Sequence, residues 1–181
     1  SMYNPKHPTA DARGFRRDFI DALKAAELPA VRLPGGNFVS GWNWKDSIGP
    51  PEQRKTSLDL AWFQYYPNDI GHDEYLQWTE LVGADPLYTV NLGTGDINDA
   101  ISIIEYTNHA GGTYWSDLRR KYGRENPYNV KTWYLGNEMD GPWQLGHVPA
   151  EHYAIRAQQA AKLMRDMDSS LELVAAGSCA K

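Results

Sequence analysis

Short apolar strands alternate with amphipathic helices along the whole chain, and this alternation limits the fold more than any other feature. The spacing of Phe15, Phe19, Ile20 and Leu23 predicts a helix over residues 11–27, with Asp11 as its N-cap. Ala30-Val31-Arg32-Leu33 reads as a strand stopped by Pro34-Gly35-Gly36-Asn37. The loop over residues 38–69 is too long to be idle in a compact domain. Residues 72–82 read as a helix with Tyr75, Trp78, Thr79 and Val82 on one side, and residues 86–92 as a second strand ended by Gly93-Thr94-Gly95. Asp96 then caps a helix that turns Ile97, Ala100, Ile101 and Ile104 inward. A polar loop around Gly111-Gly112 and Asn126-Pro127 leads to a third strand through Trp133-Tyr134-Leu135. Pro149 opens a helix with Tyr153, Ala157, Ala160 and Met164, and residues 171–176 form a fourth strand closed by Gly177-Ser178. Strict alternation of this kind means parallel α/β. The chemically rich loops all follow strands, as on the catalytic face of a (β/α) barrel. A doubly wound sheet obeys the same rule and remains the alternative.

The richest of these loops begins in Trp133-Tyr134-Leu135-Gly136-Asn137-Glu138-Met139-Asp140-Gly141. A carboxylate at the C-terminal tip of a buried strand is expensive unless it faces a cleft. Barrel enzymes keep their catalytic groups at such tips. The neighbouring Asn137 can donate a hydrogen bond to a hydroxyl, which suits sugar chemistry. A Glu placed there only to end the strand is the competing reading. Two glycines at Gly35-Gly36 let the chain turn sharply and present Asn37 to the same side. Trp42, Trp44, Trp62 and Trp143 lie in segments on that side too, either as walls of a sugar cleft or as the cover of the core.

Composition removes other classes. The net charge of −5 gives no basic face for nucleic acid. No apolar run is long enough to span a membrane. The single cysteine, Cys179, rules out an internal disulfide and a multi-cysteine metal site, and it reads as structural. His72, His109, His147 and His152 have no ligand spacing, so no metal is expected, and His147 reads as a solvated loop residue. Gly93-Thr94-Gly95-Asp96-Ile97-Asn98 lacks the third glycine of a dinucleotide fingerprint, and Gly35-Gly36 lacks the ending of a phosphate loop. No cofactor is therefore expected. Ser1-Met2-Tyr3-Asn4-Pro5 has no apolar core of a signal peptide, which favours a cytoplasmic location.

Several stretches together resemble one family: Arg32-Leu33-Pro34-Gly35-Gly36-Asn37-Phe38-Val39-Ser40-Gly41, Leu60-Ala61-Trp62, Val90-Asn91-Leu92-Gly93-Thr94, Gly112-Thr113-Tyr114-Trp115-Ser116-Asp117-Leu118, and Leu135-Gly136-Asn137-Glu138-Met139-Asp140-Gly141-Pro142-Trp143-Gln144. They are similar to the α-L-arabinofuranosidases of glycoside hydrolase family 51, retaining enzymes built on a (β/α)8 barrel with an added β-sandwich. The resemblance implies that Glu138 is the general acid/base and that Asn137 binds the 2-hydroxyl of an arabinosyl ring. It also implies that Asn37 and Trp62 line the sugar pocket. The substrate would be an arabinose-containing oligosaccharide or polysaccharide, arabinan or arabinoxylan. Other retaining barrel glycosidases, such as endoglucanases, and a non-catalytic sugar-binding half-barrel are the alternatives. After Leu60-Ala61-Trp62 the chain departs from the family: Phe63-Gln64-Tyr65 stands where many relatives carry Glu-Thr-Asn.

A complete barrel takes about 250 residues and eight strands, whereas four are legible in 181 residues. By the resemblance they correspond to strands two to five. Residues 1–181 are thus expected to form about half of a barrel, without the strand that bears the nucleophile and without the sandwich. Such a chain should be inactive alone. Its open edges should drive a dimer that closes the barrel, or pairing with a complementary fragment.

Overall fold

The computed structural model describes residues 2–177; Ser178 and Cys179 lie outside them. Four parallel strands form the central sheet: β1 (Ala30–Leu33), β4 (Asp85–Val90), β5 (Thr132–Leu135) and β6 (Glu172–Ala175). They stand side by side in chain order. An order without reversal has no switch point, so the doubly wound alternative falls and a segment of barrel remains. The connecting helices are α1 (Arg17–Ala25), α2 (His72–Val82), α3 (Ile97–Asn108), α4 (Tyr114–Lys121) and α5 (Ala150–Met167).

The pairing register divides the sheet into two chemically different faces. Leu33, Tyr88, Trp133 and Leu173 share one row, and Val90 and Leu135 the next row on the same side. These residues pack with Leu76 of α2, Ile103 and Ile104 of α3, and Ala160 and Met164 of α5. The opposite face carries Arg32, Leu87, Thr132 and Glu172 in one row, and Thr89, Tyr134 and Val174 in another. In a barrel wall the first face turns toward the helices and the second toward the barrel interior.

Several local readings need correction. The first helix begins at Arg17, six residues later than Asp11. Gly14, at φ +91°, breaks the helical path. The Asp11 carboxylate instead accepts from the backbone N–H groups of Arg13 and Phe15, at 2.9 and 3.0 Å, and closes a turn. The segment read as a long loop contains short 3-10 turns and an antiparallel hairpin of β2 (Ser57–Asp59) and β3 (Gln64–Tyr66). The polar loop before β5 contains α4. In α3 the buried positions are Ala100, Ile103, Ile104, Tyr106 and Thr107, with Ile97 and Ile101 only half-buried. Trp42 and Trp44 are core residues, 6% and 4% exposed, and they also line a cavity between residues 41–45 and α3.

Two buried polar groups fix the packing around α2, α3 and α4. Arg119 is fully buried and has no carboxylate partner among its hydrogen bonds. Its guanidinium donates to the carbonyls of Tyr106 and His109, both at 2.7 Å, and to those of Ala110, Arg124 and Glu125 at 3.1–3.2 Å. It thereby satisfies carbonyls that the end of α3 leaves without intrahelical partners. His72 is equally buried. One ring nitrogen meets the Tyr88 hydroxyl at 2.6 Å and the other the Thr107 hydroxyl at 2.8 Å. Burial disfavours the imidazolium and holds His72 at about 3, well below its ordinary 6.5.

The unfolded chain therefore takes up a proton on His72 that the folded chain refuses. Stability from this residue is present above pH 6.5 and is lost as pH falls toward 3, by up to about 1.4 kcal/mol per pH unit. Asp73 beside it is shifted upward by burial and acts in the opposite sense, so the comparison needs a variant. His72→Gln should be less stable than the parent chain at pH 7.5 and should close that gap as pH is lowered to 4.5. Urea unfolding at several pH values checks this; parallel stability curves would contradict it.

Candidate active site

Chain geometry at the exit of β5 sets the position of Glu138. Gly136, at φ +86°, turns the strand out of the sheet, and a Cβ there would lie 3.0 Å from Met139 Cγ. Met139 is fully buried and pins the loop to the core. Between these anchors Glu138 takes φ +43°, which is rare for a side-chain-bearing residue. Backbone strain of this kind concentrates at functional sites. The carboxylate of Glu138 is half-exposed, and its Oε2 accepts from Trp143 Nε1 at 2.8 Å. Gly141 leaves the room this needs, since a Cβ at that position would be 2.8 Å from the indole.

Asn137 sits beside Glu138 and is nearly fully buried, at 5% exposure. Its Oδ1 accepts from the Arg32 guanidinium at 2.6 Å, and its Nδ2 donates to Gln144 Oε1 at 3.1 Å. Gln144 in turn donates to the Ser40 hydroxyl at 2.5 Å. The Ser40 carbonyl accepts from the backbone N–H and the hydroxyl of Thr94, at 3.1 and 2.7 Å. One continuous set of bonds thus joins the loops that follow β1, β4 and β5. Arg32 also lies over the Tyr134 ring, 5.4 Å from its centroid, so β5 orients the guanidinium that holds Asn137. An amide nitrogen carries two hydrogens. Asn137 therefore keeps one donor for a ligand, and the donor is held rigidly.

Asn37 meets the same loop from the other side. Its Nδ2 donates to the Trp143 carbonyl at 3.0 Å, and its Oδ1 accepts from the Leu145 backbone N–H at 2.8 Å. Asn37, Asn137 and Glu138 are thus brought together, with Asn37 stapling the segment that carries the indole on Glu138. Trp62 shares no hydrogen bond with them. It stands at the tip of the β2–β3 hairpin, 64% exposed. His147 is solvent-exposed, as read from the sequence.

Sequence reasoning passed over Arg32, Gln144 and Ser40. Arg32 had a signal, a charge in the middle of a four-residue apolar strand. Gln144 and Ser40 had none, because they meet each other across 104 positions of the chain. A cavity of about 280 Å³ lies elsewhere, between residues 41–45 and α3, and Glu138 does not line it.

The model of the alpha-L-arabinofuranosidase 1 domain matches residues 22–181, and the chain belongs to that family. It is 51% identical over 177 residues to an intracellular exo-α-(1→5)-L-arabinofuranosidase of Bacillus subtilis, covering 98% of this chain and 35% of that protein. A probable α-L-arabinofuranosidase C of Aspergillus flavus is 46% identical, with 97% and 35% covered. Among solved structures, a family 51 α-L-arabinofuranosidase of Bifidobacterium longum superposes with a TM-score of 0.96 at 46% identity, covering 98% of this chain and 35% of that one. An arabinose complex of the α-L-arabinofuranosidase of Thermotoga maritima gives 0.95 at 45% identity, with 97% and 36% covered. The chain thus spans about a third of the length of these relatives.

Proposed function

We propose that this chain is the acid/base portion of a retaining α-L-arabinofuranosidase that removes terminal arabinofuranosyl groups from arabinan or arabinoxylan. The observation that carries the reading is the pair Asn137–Glu138 at the exit of β5, with the amide buried and clamped and the carboxylate open on one side. Glu138 is the proton shuttle. It protonates the departing glycosidic oxygen and later, as carboxylate, deprotonates the attacking water. Asn137 offers its remaining N–H to the 2-hydroxyl of the ring, an interaction that strengthens as the anomeric carbon gains positive charge. Asn37 and Trp62 border the pocket. An intracellular location is proposed from the names of the relatives.

Retention needs a second carboxylate about 5 Å from the first. Asp46 is paired with Lys55 at 2.8 Å, Asp96 caps α3, and one oxygen of Asp140 is buried in the loop. By the family resemblance, the nucleophile is assigned to a further part of a longer enzyme, together with the rest of the barrel and a β-sandwich. Alone, the chain is inactive.

In the full-length enzyme, Glu138→Gln should slow natural arabinosides by about 10²–10⁴-fold. Aryl arabinosides with good leaving groups need less proton help and should keep much more of their first-step rate. Equal losses on both substrate kinds would remove Glu138 from the role of acid.

The sheet also bears on assembly. β1 and β6 are its outer strands, and among the described residues each has one edge that no further strand pairs. The isolated 181-residue chain should associate, as a dimer that closes the barrel or with a complementary fragment. Light scattering at micromolar concentration decides this, and a stable monomer would contradict it.

A further inference from the structure

Helix α4 carries aromatic rings that its own core contacts leave open. Tyr114, its first residue, is 71% exposed, and Tyr122 at its C-terminal cap is 39% exposed. With Trp115 they border a groove of about 360 Å³ between α4 and residues 45–55. Ligand pockets fall in this range of volume and are walled by such rings. Asn37, Asn137, Glu138 and Trp143 do not line it, so the groove is separate from the site at the exit of β5.

Both walls are held in place from behind. The Trp115 ring lies 5.0 Å from that of buried Trp44, and Tyr114 stands edge-on to Trp115 at 4.8 Å. On the opposite side the Tyr122 ring rests on Gly49, where a Cβ would come 2.9 Å from Tyr122 Cζ. The Gly49 carbonyl accepts two bonds from the Arg54 guanidinium, at 2.9 and 2.7 Å. Little side-chain order is then left to impose when a ligand binds.

Each cation lining the groove already has a carboxylate partner. Lys45 pairs with Asp99 at 2.6 Å, Lys55 with Asp46 at 2.8 Å and Arg54 with Glu74 at 2.8 Å. An anionic ligand gains little from cations paired in this way. The groove offers instead flat apolar rings, with phenolic hydroxyls and the Gln53 amide beside them. That combination suits neutral sugar rings, which have apolar C–H faces and hydroxyl rims. Tyr114 and Tyr122 are eight residues apart, about 12 Å along a helix. A single sugar ring does not span that distance, so an occupant touching both is a chain.

We propose that the α4 groove is a second binding site for a neutral glycan chain, the same arabinan whose terminal groups are removed at Glu138. Holding the polymer on the outer wall raises the effective concentration of its ends at the catalytic site. The identity of the glycan rests on the function proposed for Glu138; the groove itself does not.

The test uses the full-length enzyme, its Tyr114→Ala and Tyr122→Ala forms and the double variant, run in native gels containing linear arabinan. Arabinan should retard the parent enzyme, and excess free arabinose, which competes at the catalytic site, should leave that retardation in place. The double variant should bind arabinan about tenfold more weakly, as expected for the loss of two stacking rings. Its kcat/KM on an aryl arabinoside should change less than twofold, which also shows that the fold is kept. Tyr114→Ala removes only a largely exposed ring and should show part of the same loss. Absence of retardation in the parent would overturn the proposal, as would retardation abolished by arabinose or unchanged in the double variant. A lower molecular mass of the double variant by light scattering would overturn it too, by marking the groove as a subunit contact. Failure of the catalytic reading has a separate signature, a Glu138→Gln enzyme that releases arabinose from the same arabinan at the full rate.

Discussion

The candidate site depends on one buried side chain, Asn137, whose amide is held at both ends. Arg32 reaches it from β1 and Gln144 from the following loop, at 2.6 and 3.1 Å. A buried amide left half-paired would cost about 1–3 kcal/mol, so each partner secures the geometry of the others. Through Gln144 and Ser40 the same bonds reach the loop after β4. Three loops that are mobile in an ordinary α/β protein thereby become one rigid rim, and Glu138 projects from it. Close packing reinforces the rim where Gly146 lies against Gly93: a Cβ at Gly146 would fall 2.4 Å from the Gly93 carbonyl carbon.

Rigidity at the rim is supported by a core that uses polar groups as well as apolar ones. Tyr88 and Trp133 fill the helix-side face of the sheet, and the Tyr88 hydroxyl is satisfied by His72. Asp73 accepts from the hydroxyls of Tyr106 and Tyr128 at 2.6 and 2.8 Å, while Arg54 holds Glu74 through two nitrogens. These contacts tie α2 to the segments before and after it, so the long connection after β1 has a defined path. The proton-shuttle role proposed for Glu138 would require such placement, since misplacement by about 1 Å can cost 10²-fold in rate.

Much of the fold was legible in the sequence because period and punctuation agreed. Residues 72–82 carry a helical apolar stripe that ends at Gly83, and the helix occupies those residues. Asp96 marks a helix start by its capping carboxylate and Pro149 by its fixed φ, and both helices begin there. The hairpin was not legible, because its strands are three residues each and its turn is made of apolar residues. Helix α4 was hidden for the opposite reason: it is polar, and its most buried large side chain is an arginine. At the site, Glu138 and Asn137 announced themselves by their place after an apolar strand. The clamp did not, since Arg32 and Asn137 are 105 positions apart, and Ser40 and Gln144 are 104.

The account stands or falls on Glu138 being the shuttle rather than the nucleophile of a two-step displacement. Azide offered to a Glu138→Ala form of the full-length enzyme with an activated aryl arabinoside separates these roles. If Glu138 is the acid/base, the covalent intermediate still forms, azide replaces the unassisted water, and the product is the arabinosyl azide of retained configuration. If Glu138 were the nucleophile, azide would attack the substrate directly and the product would be the inverted azide. Turnover restored by azide with retention is the predicted result, and inversion or no rescue would contradict the account.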